Sequence, residues 1–255
     1  MTKMVRDMTP DKILDGFVSR AREAASANLE SIILYGSAAA GNFTPEISDL
    51  NILCVLRDTS FAALQALEPV AKWWDGKKQP APLIMARNEL ERSADVFAIE
   101  WLDMRENHRV LFGADVLANL QVPMRLHRIQ VEYELREKLI LLRQGFLLSA
   151  NNDKKIWDLT VHSAPSFFTL FRHALIALGE TPSPNKAEVV QALAKKTQFD
   201  PQAMIEVLEL RQRKARPDSN VKQLCARYLA AIEQVTAAVD TMMDSQSSRR
   251  LGETI

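Results

Sequence analysis

"YGSAAAGNFTPEISDLNILCVL" occupies residues 35–56, and the fold turns on how it is read. The run "SIILYG" (31–36) reads as a short buried strand, and "DLNILCVL" (49–56) as a second one rich in branched aliphatics. Between them Ser37, Ala38, Ala39 and Ala40 can start a short helix closed by Gly41. Backbone N–H groups at such a start form a ready anion site, and Ser37 adds a hydroxyl. Tight strand-to-helix packing asks for the same small residues, so the loop alone does not decide between the two. The second strand does more. Residues two apart on a strand share a face, so Asp49 and Asn51 project together while Leu50 and Ile52 point into the opposite layer. Two oxygen donors beside an anion-binding loop match a magnesium–nucleotide site.

On the N-terminal side, a first helix is expected from Thr9, with Pro10 at the favoured first position and Asp11 at the positive end of the dipole. Ile13, Leu14, Phe17, Val18 and Ala21 recur at helical spacing, and the pattern fades near Asn28. Beyond the second strand, a helix over 61–74 and a strand "PAPLIMA" (80–86) are expected. In 95–113 the stripe Phe97, Trp101, Met104, His108 and Leu111 favours a helix ending at Gly113, with a strand at 96–102 as the alternative. From about Gln121 the periodicity is helical throughout, with further helices over 154–178, 185–197, 201–215 and 218–244. The expected fold class is therefore α+β: a mixed sheet with helices over 1–122, an all-α helical bundle over 123–244, and a disordered tail over 245–255.

Composition sets the outer limits. The 255 residues are 47% hydrophobic and 25% charged, ordinary for a soluble globular protein. Thirty-two basic residues balance 32 acidic ones, which argues against nucleic acid as a partner. Cys54 and Cys225 form no metal or disulfide pattern. There is no apolar run of membrane-spanning length, and the N-terminus lacks the apolar core of a signal peptide, so the expected compartment is the cytoplasm and no membrane partner is expected.

The motif "GSAAAG…SDLNILCVL" resembles the signature of the nucleotidyltransferase superfamily, the fold of DNA polymerase beta and of aminoglycoside nucleotidyltransferases. Gly36 and Ser37 match the family's glycine-serine pair, and Asp49 its first strand aspartate. Asn51 stands where the family has a second aspartate. The helical C-terminal region is also similar to the bundle of the aminoglycoside enzymes. The resemblance implies Mg-dependent transfer of a nucleoside monophosphate from a nucleoside triphosphate, ATP first among them, to a hydroxyl on a small molecule or protein. Gly36 and Ser37 would cradle the phosphates, and Asp49 and Asn51 would hold magnesium. The alternative is a catalytically inactive relative that binds a nucleotide or a partner for regulation. Asparagine keeps an oxygen donor but loses charge, which disfavours a two-metal cluster.

The family also places a third carboxylate on a following strand. "PAPLIMA" has none, so Glu100, Asp95 and Asp103 are the downstream candidates, with Glu100 taken as the catalytic base. The remaining residues read as ordinary. The four histidines have no zinc spacing, His108 reads as a partly buried, hydrogen-bonded residue, and Ser163, Ser166 and His162 form no nucleophile elbow. Arg136, Lys138 and Arg143 read as a solvated helical face laced with i,i+4 pairs rather than as triphosphate ligands.

Overall fold

Apolar alternation and helical spacing do most of the sorting. The computed structural model describes residues 9–41, 49–149, 152–217 and 220–252, with backbone alone beyond residue 241. It divides into two compact units, Met1–Pro123 and Met124–Ile255.

The first unit opens with α1 (Pro10–Ala25), which buries Leu14, Phe17, Ala21 and Ala25 on one stripe. Strands β1 (Leu29–Tyr35) and β2 (Asn51–Leu56) run antiparallel. Helix α2 (Phe61–Asp75) then crosses over to β3 (Leu83–Ala86), which lies parallel to β2. Helices α3 (Arg87–Arg92) and α4 (Ala98–Glu106) precede β4 (His108–Gly113), which pairs antiparallel with the other edge of β1. The sheet order is β3-β2-β1-β4.

Alternation along β2 divides the core into two layers. Ile52, Cys54 and Leu56 join Phe17, Val70 and Trp74 on the α1/α2 side. Leu53 and Val55 join Leu90, Trp101 and Met104 on the α3/α4 side. Fully burying side chains of this size contributes about 2–3 kcal/mol each. The polar turn before β3 ties back to β2: the Leu50 amide donates to Gln79 Oε1 at 2.7 Å, and Trp74 Nε1 donates to the Pro80 carbonyl at 2.8 Å.

The expected helix over 95–113 needs correction. It stops at Glu106, Asn107 leaves the helical conformation, and 108–113 form β4. Pairing with the bare edge of β1 satisfies a row of backbone groups that helix continuation would leave unpaired. His108 and Leu111 thus belong to a strand, and Phe97 lies ahead of α4 as its N-cap.

The second unit consists of α5 (Met124–Ser149), α6 (Asp153–Ala177), α7 (Lys186–Thr197), α8 (Gln202–Gln212) and α9 (Val221–Gly252). Helix α5 buries His127, Val131, Leu135, Leu139 and Leu142, spaced three and four apart. The predicted cationic face of α5 is paired within this unit. Arg136 meets Glu132 and Asp240, Lys138 meets Glu134, and Arg143 meets Glu233. Helix α9 continues through 245–252, where the sequence reading expects a disordered tail; no glycine or proline interrupts it before Gly252. Among the described residues, no helix is long and apolar enough to cross a membrane.

Candidate functional site

At the C-terminal end of β1 the chain turns at Gly36, whose φ of +79° is one that residues with a side chain rarely adopt. Residues 37–41 form a single hydrogen-bonded turn, with the Ala39 and Ala40 amides donating to the Gly36 carbonyl at 3.0 and 3.1 Å. Gly41, at φ +76°, closes it. The Gly36 amide itself donates to the Asn107 carbonyl at 3.1 Å. Among the described residues, that leaves the amides of Ser37 and Ala38, with the exposed Ser37 hydroxyl, as the donors the turn can offer to an anion.

The second strand meets this turn. Asn51 is the register partner of Tyr35. A Cβ built on Gly36 would lie 3.5 Å from Asn51 Nδ2, with no other heavy atom within 4 Å. Asn51 is half-buried and Asp49 exposed, while Leu50 between them is 1% exposed in the α1/α2 core. The asparagine side chain therefore faces the glycine turn, and the aspartate stands exposed two residues earlier, ahead of β2, because the strand expected over 49–56 begins only at Asn51. Residues 42–48, which join turn and strand, lie outside the described residues.

Glu100 lies in the first turn of α4 and is exposed, flanked by the buried Ile99 and Trp101. Asp95 is exposed ahead of α4, and Asp103 is half-buried within it. In β3, the parallel neighbour of β2, the residues are Leu83, Ile84, Met85 and Ala86, so no carboxylate stands beside β2 there. Among the described residues, no three His, Cys, Asp or Glu side chains gather as a metal cluster. The donor set of Asp49 and Asn51 fits a single magnesium ion that takes its remaining ligands from water and phosphate, as this ion commonly does. It does not fit a two-metal cluster built on protein carboxylates.

Two further residues join this end of the sheet. Tyr35 pairs with Asn51 on one side and His108 on the other. Directly opposed strand residues point to one face, so the three form a row. Burial pushes the Tyr35 phenol up, which keeps it neutral. His108 Nδ1 lies 3.0 Å from the Arg105 carbonyl, and Nε2 lies 3.0 Å from Asp115 Oδ2. Burial works to raise the Asp115 carboxyl, but hydrogen bonds from His108, Ala118 and Leu117 and the charge of the ring outweigh it and hold the group below the usual carboxylate range. The alternation of β1 is the signal that places Tyr35, since it shares a face with Ile33. No such signal exists for His108, because strand β4 is not visible in the pattern.

Residues 14–107 match the family described as a nucleotidyltransferase domain. Among solved structures, spectinomycin adenyltransferase from Enterococcus faecialis, crystallised with ATP and spectinomycin, is similar with a TM-score of 0.54. The match covers 89% of this chain and 98% of that one at 14% identity, a likeness of fold. No curated protein matches the sequence.

Proposed function

We propose that the chain is a member of the nucleotidyltransferase superfamily, as the family match over residues 14–107 supports, and that it binds a nucleoside triphosphate at the Gly36 turn and transfers the nucleoside monophosphate to a hydroxyl acceptor. The observation that carries this reading is the approach of Asn51 to the bare Cα of Gly36, with Asp49 exposed just ahead of β2. The absence of a side chain at Gly36 lets a phosphate come close to the backbone. The Ser37 and Ala38 amides and the Ser37 hydroxyl supply donors at the positive end of the turn. Asp49 and Asn51 would hold a magnesium ion, which when bound neutralises phosphate charge and polarises the bond that breaks. The protein's own part is positioning, with donors already fixed before charge develops. The fold neighbour was solved with ATP and spectinomycin, which supports ATP as the first nucleotide to test and a small molecule as the first class of acceptor.

A second reading is favoured by the lack of a carboxylate on β3: a relative that binds nucleotide without turnover. Calorimetry of nucleotide binding with and without magnesium, followed by pyrophosphate release over a pool of acceptors, separates the two. Transfer predicts magnesium-dependent binding that Asp49→Ala abolishes and Asn51→Asp preserves or strengthens, together with pyrophosphate release. Magnesium-dependent binding without release, for any acceptor, supports the second reading. Binding indifferent to both magnesium and Asp49 contradicts the site itself. Glu100→Gln, at an exposed helical position, is expected to release pyrophosphate at the wild-type rate; a large loss would make Glu100 the base.

A further inference from the structure

Gly36 is the residue whose conformation brings the turn and β2 together, and glycine by itself does not hold φ near +79°. What pins it is the hydrogen bond from its amide to the Asn107 carbonyl at 3.1 Å. Asn107 is the joint between α4 and β4, so whatever fixes that joint fixes Gly36. His108 is the next residue along the chain. Both of its ring nitrogens meet acceptors, the Arg105 carbonyl and the Asp115 carboxylate, each at 3.0 Å. A neutral imidazole carries a single N–H, so only the doubly protonated ring makes both bonds. Asp115 is itself fixed, its other oxygen accepting the Leu117 and Ala118 amides at 3.1 and 3.0 Å.

We propose that His108 is a positioning residue for the Gly36 turn: its ring, clamped between the end of α4 and Asp115, holds the Asn107 carbonyl where Gly36 needs it, so that nucleotide affinity depends on the clamp. This rests on the nucleotide reading of the turn. The titratable and charged groups on the surrounding elements are Tyr35 on β1, Asp103, Arg105 and Glu106 on α4, and Asp115 after β4. The Arg105 guanidinium donates to the Leu120 carbonyl at 3.2 Å, so it is its backbone that serves the ring. Tyr35, held neutral by burial, contributes no charge to the row. Asp115 is the anionic side of the clamp, its carboxyl held below the usual carboxylate range, so the clamp is present at neutral pH and loosens as pH falls through that lowered value.

The test uses two readouts on the full chain at neutral pH. The first is hydrogen exchange at the Gly36 amide, corrected for the intrinsic rate; the second is the affinity for MgATP. His108→Gln is expected to lower Gly36 protection by about threefold to tenfold, with MgATP affinity falling in parallel. Asp115→Asn keeps an acceptor for the Leu117 and Ala118 amides while removing the charge opposite the ring, and should behave the same way. Gly36 protection unchanged in both variants overturns the proposal. If protection falls in the variants but MgATP does not bind the wild type, the nucleotide reading falls and the link to affinity falls with it, while the positioning role is upheld.

Discussion

The two ends of the β1–β2 pair are built from the same strands and serve different ends. At the β1 start, polar groups satisfy one another. Asn28 exchanges hydrogen bonds with the Asp58 backbone at 2.9 and 2.8 Å, and the Asp58 carboxylate accepts from the Ser60 amide and hydroxyl. Glu30 sits between Arg87 at 2.9 Å and Arg57 at 3.5 Å. At the β1 end, a left-handed glycine turn faces Asn51, Asp49 stands exposed, and Tyr35 and His108 complete a row on one face of the sheet. One end uses its polar chemistry to close the sheet; the other aims it at a turn that can receive an anion. Burial and ion pairing therefore mark where the fold is held, while exposed donors around a fixed backbone mark where a ligand is held.

Two glycines, one at each end, put this contrast to its hardest trial. A Cβ at Gly113 would lie 1.9 Å from the Glu30 carbonyl oxygen, at φ +78°. Gly113→Ala is therefore expected to cost more than about 3 kcal/mol in denaturant unfolding, since backbone must move on both strands. Gly36→Ala meets nothing closer than 3.5 Å, so its stability cost should be the left-handed backbone alone, about 1–2 kcal/mol. Nucleotide affinity in that variant is expected to fall at least about tenfold, since its donors would move. A Gly36→Ala protein that binds normally would remove the turn from the site.

Smaller effects belong to the ion pairs. Glu30→Gln strips the partner from two partly exposed arginines, and a loss of about 1 kcal/mol or less is expected, with nucleotide binding unchanged. Asp58 gives the smallest effect. Hydrogen bonds from the Ser60 hydroxyl and amide hold its exposed carboxyl below the usual range. Its contribution is thus present above the unfolded carboxyl's range and fades as pH falls through the lower folded value. Local exchange at the start of α2 should rise in acid while the Gly36 turn, apart from its coupling to Asp115, stays as it was.

Most of the sheet unit was legible because strand alternation and glycine placement are local signals. Ile52 and Cys54 against Leu53 and Val55 sort themselves to two layers from sequence alone, and Gly36 marks its own turn. The α4–β4 region was not legible, because Phe97, Trp101, Met104, His108 and Leu111 happen to repeat at helical spacing. What ends the helix is pairing with a strand 70-odd residues earlier in the chain, as Tyr35↔His108 shows, and no local pattern records that. Missing β4 also hid His108 from the site, since its partner Asp115 lies beyond the strand. The α9 extension to Gly252 was missed for the opposite reason: polar composition reads as disorder even where nothing stops a helix.

If the Gly36 turn and the start of β2 share one nucleotide site, amide chemical shifts should show it during titration with MgATP. Perturbations are expected at Gly36, Ser37, Ala38, Asp49 and Asn51, absent at Asn28, Glu30 and Asp58 and lost throughout in Asp49→Ala. Perturbations centred on the closed end of the strands, or none at the turn under saturating MgATP, would refute the shared site.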